Sequence, residues 1–479
     1  MKQALFWKLM ERFGVQGVQF ILQIILARLL SPEHYGVLSI MIVFTNLANV
    51  FIQRGFNTAL IQNKDVTEED YSSVFWVSLG IAAALYVVLF FTAPLIADFY
   101  SMPDIVAPFR VICLMLLPGA MSSVQFAKVS REMDFKKVFY SSVGGILVSG
   151  LLGVALAYLG AGLWALVAQS LGNAITACLV MLFTVRWRPK AVCNWMRIKV
   201  LFSYGSKLLL SGLLDVLFQN INSLVVGKKY NADTLGFFNR GQQFPQFMTN
   251  SINDAVQSVL LPAMSAKQDD RFQVKAVMRN SIMLSSYIIF PMMAGLAAIA
   301  EPLIQLLLTD KWLPAVPYMH ICCFTFAFMP VHTCNLQAIN AMGRSDIFLK
   351  LEIVKKVIAI IALVIAVFCF DTPIAIALTG IFTTVTSCFI NAYPNKKLID
   401  YSYFEQMKDI LPSFFISVLM CGVVFLVGMA QLPVLLLMLL QIVVGVIVYL
   451  ALSFICKIEP FGILLCQGKE MLRKGKSAD

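Results

Sequence analysis

The sequence predicts an all-α polytopic membrane protein of about 14 transmembrane helices. Two six-helix bundles, related by a parallel repeat, are expected to be followed by two extra C-terminal helices. Three observations carry this reading. Apolar residue types make up 59% of the 479 residues and charged types 13%, whereas a soluble domain runs at about 45–50% and about 25%. Apolar runs recur along the whole chain, about one per 30 residues, and a membrane helix takes about 20. The second half also repeats the first at a shift of 200 positions. The composition excludes an ordinary cytosolic enzyme, a disulfide scaffold and a disordered chain. The 11 cysteines lie scattered in apolar runs without CxxC spacing, so they read as small hydrophobes. The net charge of +11 suits cytoplasmic loops facing anionic lipid, and nucleic acid is not expected as a partner.

Taken in order, Lys2 to Arg12 reads as a short amphipathic lead-in. No small-residue cleavage site follows the first apolar run, so no cleaved signal peptide is expected. Spans 1 to 6 are expected at 13–30, 35–57, 72–97, 107–127, 139–160 and 162–185. Together they make an N-terminal bundle, 1–185. The stretch 186–202 (Arg186 to Lys199 reads RWRPKAVCNWMRIK) is the longest basic linker. It is either a topology determinant or a headgroup or partner site. Spans 7 to 12 follow at 203–227, 234–260, 276–300, 314–341, 347–370 and 373–393, giving a second bundle, 203–393. A cytoplasmic loop, 394–409, leads to spans 13 and 14 within 410–456, turning at Gln431-Leu432-Pro433. A basic tail, 457–479, ends the chain. Pro118, Pro245, Pro291 and Pro330 fall inside spans, where kinks are expected.

Positive charge orients this threading. With the N-terminus in the cytoplasm, 27 Lys and Arg fall in cytoplasmic segments. Only 4 (Arg28, Lys228, Lys229 and Lys311) fall on the other side, and 6 lie within spans. The bias puts both termini in the cytoplasm and requires an even number of spans. The outer loops are too short for a catalytic domain. No Walker motif, phosphate loop, nucleophile elbow or HExxH is present, so no enzyme, cofactor or ATP hydrolysis is expected. His320, Cys322, Cys323, His332 and Cys334 cluster in span 10, but their spacing does not converge on a metal. His332 reads as a buried or interfacial histidine, with pH sensing as the alternative.

The repeat aligns 27–61 with 227–261 without a gap: Gly36 meets Gly236, Phe44 meets Phe244, Ile52 meets Ile252 and Leu60 meets Leu260. Six spans separate equivalent positions. The two halves therefore share one orientation and are related by an axis along the membrane normal.

Four spans carry polar stripes. Span 8 has Asn239, Gln243, Gln246, Asn250, Asn253 and Gln257, in steps of 4, 3, 4, 3 and 4 that keep one helix face. Span 2 repeats it 200 positions earlier with Ser39, Asn46, Gln53 and Asn57. Span 1 has Gln16, Gln19 and Gln23, and span 7 has Asp215, Gln219 and Asn222. Polar groups in hydrocarbon must meet each other or water. One reading is helix–helix hydrogen bonding. The other is a central, water-filled cavity of an alternating-access carrier, favoured by the length of the stripes and their repetition. Arg28, Lys228 and Arg240 are candidate cations for the same lumen. Arg54 and Asp254 pair under the 200-residue shift at the cytoplasmic ends of spans 2 and 8. They are gate candidates, or else two separate interfacial charges.

The run ERFGVQGVQFILQIILARLLSPEHYGVLSI and its continuation through Phe51–Gln62 resemble the polysaccharide transporter family. This is the Wzx-type flippase branch of the multidrug/oligosaccharidyl-lipid/polysaccharide exporter superfamily. APLIADFY (Ala93–Tyr100), REMDFKKV (Arg131–Val138) and NAMGRSD (Asn340–Asp346) fit the same pattern. The resemblance implies a flippase that moves an undecaprenyl-diphosphate-linked oligosaccharide across the bacterial inner membrane. It also implies a role in cell-surface polysaccharide (O-antigen or exopolysaccharide) biosynthesis, with polymerase and export machinery acting afterwards. It implies proton or sodium coupling only loosely; Asp215 and Asp254 are the titratable groups available. It offers no tight motif to carry over, so the candidate residues rest on the stripes. Rival readings are a drug or metabolite exporter or a lipid II flippase of the same superfamily. A channel or a membrane polysaccharide polymerase would belong to another class.

Overall fold

The computed structural model of the chain describes residues 2–53, 57, 60, 61 and 65–466. The long helices are α1 (Lys2–Leu29), α2 (Pro32–Gln53), α3 (Glu68–Tyr100), α4 (Pro103–Glu132), α5 (Phe135–Tyr158), α6 (Leu163–Thr184), α7 (Trp195–Lys229), α8 (Ala232–Ser265) and α9 (Arg271–Ala298). After the short α10 (Ala300–Leu308) come α11 (Asp310–Ala341), α12 (Ser345–Cys369), α13 (Pro373–Ile399), α14 (Tyr403–Val427) and α15 (Val434–Ile455). Among the described residues, 11 helices are long and apolar enough to cross a membrane, and Gly14–Leu29 is a shorter apolar helix. Two expected spans, 234–260 and 347–370, are helical but stand outside that number. The first carries the polar stripe; the second opens with Glu352, Lys355 and Lys356, of which Lys355 pairs with Glu352 at 2.5 Å.

Helix ends follow local chemistry. Thr67 with Asp70, and Ser402 with Glu405, form capping boxes that start α3 and α14. Asp270 accepts from the amides of Phe272 and Gln273 at the start of α9. These bonds to the charged form hold its carboxyl below the usual aspartate range. Ser101, in the left-handed region at φ 57°, ends α3. Pro433 starts α15 at the expected turn. Two of the four span prolines sit beside breaks: α4 passes through a 3-10 turn at Cys113–Met115 just before Pro118, and α11 breaks at Phe328 before Pro330. Helices α8 and α9 run continuously past Pro245 and Pro291.

The chain forms two compact units, Met1–Gly236 and Phe237–Asp479. In the first, α5 packs on α6 and on α1. Small residues allow the approach: a Cβ on Gly145 would stand 2.5 Å from Asn173 Oδ1, and one on Gly150 would stand 2.4 Å from Leu22 Cδ1. Helix α7 lies in this unit and packs on α2 and α3. The 186–202 linker is shorter than expected, because α7 already starts at Trp195. Its remainder is strapped to the start of α3. Trp187 Nε1 donates to Glu68 at 2.6 Å, Trp76 Nε1 to the Lys190 carbonyl at 2.9 Å, and the amides of Lys190 and Asn194 donate to Ser72 and Ser73.

In the second unit, α9 packs on α14, and α12 on α13. A buried amide cluster ties three helices. Asn335 Nδ2 donates to Gln406 Oε1 at 2.8 Å, Gln406 Nε2 returns to Asn335 Oδ1 at 3.1 Å, and Asn395 Nδ2 joins that oxygen at 2.7 Å. Arg279 forks onto Asp409 (3.0 and 2.9 Å) and Glu459 (3.0 and 2.9 Å), joining α9 to α14 and to the short helix after α15. The expected loop 394–409 is mostly helical: α13 runs on to Ile399 and α14 starts at Tyr403. The tail beyond residue 466 lies outside the described residues.

Candidate functional site

The stripe on α8 rests on one unbroken helix, so its six amides share a face as the spacing requires. Gln246, Asn250 and Gln257 are exposed, and Asn239 and Gln243 are half-buried. Asn253 departs from the pattern. It is 3% exposed, and its Oδ1 accepts from Thr333 Oγ1 at 2.5 Å. At that position the stripe makes a hydrogen bond to α11.

Arg240, one residue from the stripe, is 5% exposed. Its Nη1 donates to Gln243 Oε1, and its guanidinium lies 5.1 Å from the Trp312 ring centroid. Trp312 is fully buried, with Phe237 edge-on at 6.1 Å. The sequence allows this approach because position 241 has no side chain. A Cβ on Gly241 would stand 2.7 Å from the Ala315 carbonyl oxygen and 2.8 Å from Tyr318 Cβ. Glycine therefore brings α8 onto the start of α11 beside the arginine. A guanidinium suits this setting better than an ammonium. It is planar, stacks on an aromatic face and keeps further donors.

On α2, Asn46 and Gln53 are exposed and Ser39 donates back to the Tyr35 carbonyl at 2.7 Å. Asn57 is 7% exposed, and its Oδ1 finds no partner among the described residues. On α1, Gln16 and Gln23 are half-buried and Gln19 is exposed. On α7, Asp215 and Asn222 are half-buried and Gln219 is exposed. Arg28 is exposed at the end of α1. Lys228, its equivalent at the end of α7, is also exposed; its Nζ donates to the Phe99 carbonyl and lies 4.5 Å from that ring's centroid. Of the gate candidates, Asp254 is half-buried on α8, and Arg54 lies outside the described residues.

The structure thus brings Arg240 to Gln243 and Asn253 to Thr333. Trp312 and Thr333 were not foreseen. Each lies more than 70 positions from its partner, and no local spacing signals such a contact. His332 meets the side chains of Cys388 at 3.7 Å and Asn391 at 3.3 Å on α13. Chemically, exposed amides on several helices can exchange hydrogen bonds with hydroxyl-rich ligands or water, and guanidinium and ammonium groups can meet phosphate oxygens.

A family profile described as polysaccharide biosynthesis protein matches residues 25–317. The chain is 25% identical over 305 residues to the teichuronic acid biosynthesis protein TuaB of Bacillus subtilis (strain 168), covering 63% of each chain. It is 24% identical over 351 residues to the succinoglycan biosynthesis transport protein ExoT of Rhizobium meliloti (strain 1021), covering 73% of this chain and 71% of that one. Among solved structures, a lipid II flippase MurJ in an inward closed conformation superposes with a TM-score of 0.76. That match has 16% identity and covers 94% of this chain and 98% of the other.

Proposed function

The chain belongs to the polysaccharide biosynthesis protein family, and on that footing we propose that it is a flippase for lipid-linked oligosaccharide units. Its cargo is an undecaprenyl-diphosphate-linked saccharide, carried by alternating access across the bacterial inner membrane with both termini in the cytoplasm. The observation that carries the proposal is the polar stripe of α8, repeated 200 positions earlier on α2. Exposed amides at Gln246, Asn250, Asn46 and Gln53 would be costly against lipid tails and suit a sugar headgroup. Arg28, Lys228 and Arg240 are the cations offered to the diphosphate. Asp215 and Asp254 are the groups offered to a coupling proton or sodium ion. The six-plus-six-plus-two division, with 1–185 and 203–393 as the repeated halves, is the frame for this motion. Membrane lipids surround the protein, and a polymerase with its export machinery takes up the product.

The test is genetic. Deletion of the gene is expected to leave the lipid-linked saccharide on the cytoplasmic leaflet, with surface polysaccharide lost. Surface polysaccharide at normal levels in the deletion strain, with no build-up of the lipid-linked unit, overturns the proposal.

A further inference from the structure

Helices α2 and α8 begin in the same way. Each follows a two-residue turn, after α1 ends at Leu29 and α7 at Lys229. Ser31 Oγ stands 3.0 Å from His34 Nδ1, and Asn231 Oδ1 accepts from the Thr234 amide at 2.8 Å. Pro32 and Ala232 open the two helices; Gly36 and Gly236 stand one turn in. All four are buried, and they pair two by two under the 200-residue shift.

The two first turns touch reciprocally. A Cβ on Gly36 would stand 1.8 Å from the Ala232 carbonyl oxygen, and one on Gly236 would stand 2.2 Å from the Pro32 carbonyl oxygen. Both obstacles are backbone atoms, which cannot rotate away as a side chain can. Neither glycine has a positive φ, so neither is needed for its own conformation. Each leaves room for the other helix. As in small-residue helix crossings, a glycine on each partner lets the other helix's backbone approach. Such close backbone approach brings Cα–H groups onto carbonyl oxygens, and those contacts are individually weak. Ile40 packs beside them, 3.2 Å from a Cβ placed on Gly227 of α7.

We propose that this glycine crossing is the releasable outer closure of the transport path. The inference rests on the transporter reading above. In the orientation that the charge bias predicts, both turns lie on the outer side, at the tips of the hairpins α1–α2 and α7–α8. A rocking motion separates hairpin tips more than mid-helix contacts. A seal there must be tight when shut and cheap to break. Two Cβ-free backbone contacts meet both needs, whereas a knot of buried polar bonds would be costly to open.

The experiment measures distances between spin labels on Glu33→Cys and Asp233→Cys in a cysteine-free full-length chain, in nanodiscs and without substrate. The unaltered crossing is expected to give a short, dominant distance. The double variant Gly36→Ala/Gly236→Ala is expected to lengthen it and to lower surface-polysaccharide export at least severalfold. Gly14→Ala, whose added Cβ meets nothing within 4 Å, is expected to change neither. Linking positions 33 and 233 with a flexible, reducible bis-thiosulfonate should stop export, and reduction should restore it, whether or not the alanine variants fold. Distances unmoved by the double variant, or export that continues through the cross-link, overturn the closure. Since the distances are read without cargo, that result leaves the flippase proposal to stand or fall by the deletion test.

Discussion

Arg240 shows how a charge can be held in the buried interior of a helix array. A buried charge is costly unless it is paired and hydrogen-bonded. Here Arg240, 5% exposed, has the Gln243 amide oxygen and the Trp312 ring face as partners. Arg240→Lys keeps the charge but loses the planar stack, a contact worth about 0.5–2 kcal/mol. It is expected to cut export by about twofold to about thirtyfold, while Arg28→Lys at an exposed site leaves export nearly unchanged; surface-polysaccharide assays of the two strains check this. Along the α8 stripe, Gln246→Cys and Asn250→Cys are expected to react with a water-soluble thiol reagent severalfold faster than Asn253→Cys, because Asn253 is buried against Thr333. Equal rates at the three sites would contradict the described face. Residue types and spacing made the stripe legible in the sequence. The burial of Asn253 was not legible, since it depends on a helix that arrives 80 positions later.

At the scale of elements, the apolar runs marked where helices lie, and the turn at Gln431-Leu432-Pro433 marked the start of α15; the capping boxes that start α3 and α14 were not read from the sequence. The basic linker was legible as a charge run. Its strapping to α3 was not, because the partners of Trp187 and Lys190 are 119 and 118 residues away. The stretch 394–409, expected as a loop, is mostly helical, because a helical turn runs on through Asn395–Ile399 and the Ser402–Glu405 capping box starts α14 at Tyr403. The amide cluster joining α11, α13 and α14 was likewise hidden among long-range partners. Interhelical hydrogen bonds in membranes average about 0.6 kcal/mol and reach about 1.7. Leaving a buried partner unsatisfied costs about 1–3 kcal/mol. Gln406→Leu is therefore expected to lower the thermal midpoint in detergent by a few degrees. Asn335→Leu/Gln406→Leu should recover part of the loss, and an additive double variant would show that the two amides are not coupled. The Arg279 fork is half-exposed, so its contribution is smaller, about 1 kcal/mol or less. Arg279→Lys is expected to reduce that midpoint only slightly, but more at low salt than at high salt.

For the whole molecule, composition reached the all-α membrane class, charge bias gave the proposed orientation, and the resemblance of the opening run and three later motifs pointed to the family whose profile matches residues 25–317. A 27-to-4 distribution of Lys and Arg predicts that a single cysteine at position 194 is shielded from impermeant reagents in intact spheroplasts and labelled after permeabilisation; labelling from outside would invert the topology. The glycan itself was not legible, because amides and cations recognise hydroxyls and phosphate in general. The central claim is that the protein carries a lipid-linked saccharide across the bilayer, and reconstituted flipping tests it most directly. Purified full-length protein in liposomes, loaded with a fluorescent undecaprenyl-diphosphate-linked oligosaccharide, is assayed by quenching from outside. The account predicts protein-dependent loss of the protected inner-leaflet pool, slowed by Arg240→Ala and absent for a free, unlinked oligosaccharide. An inner pool that stays as protected as in protein-free liposomes would contradict it.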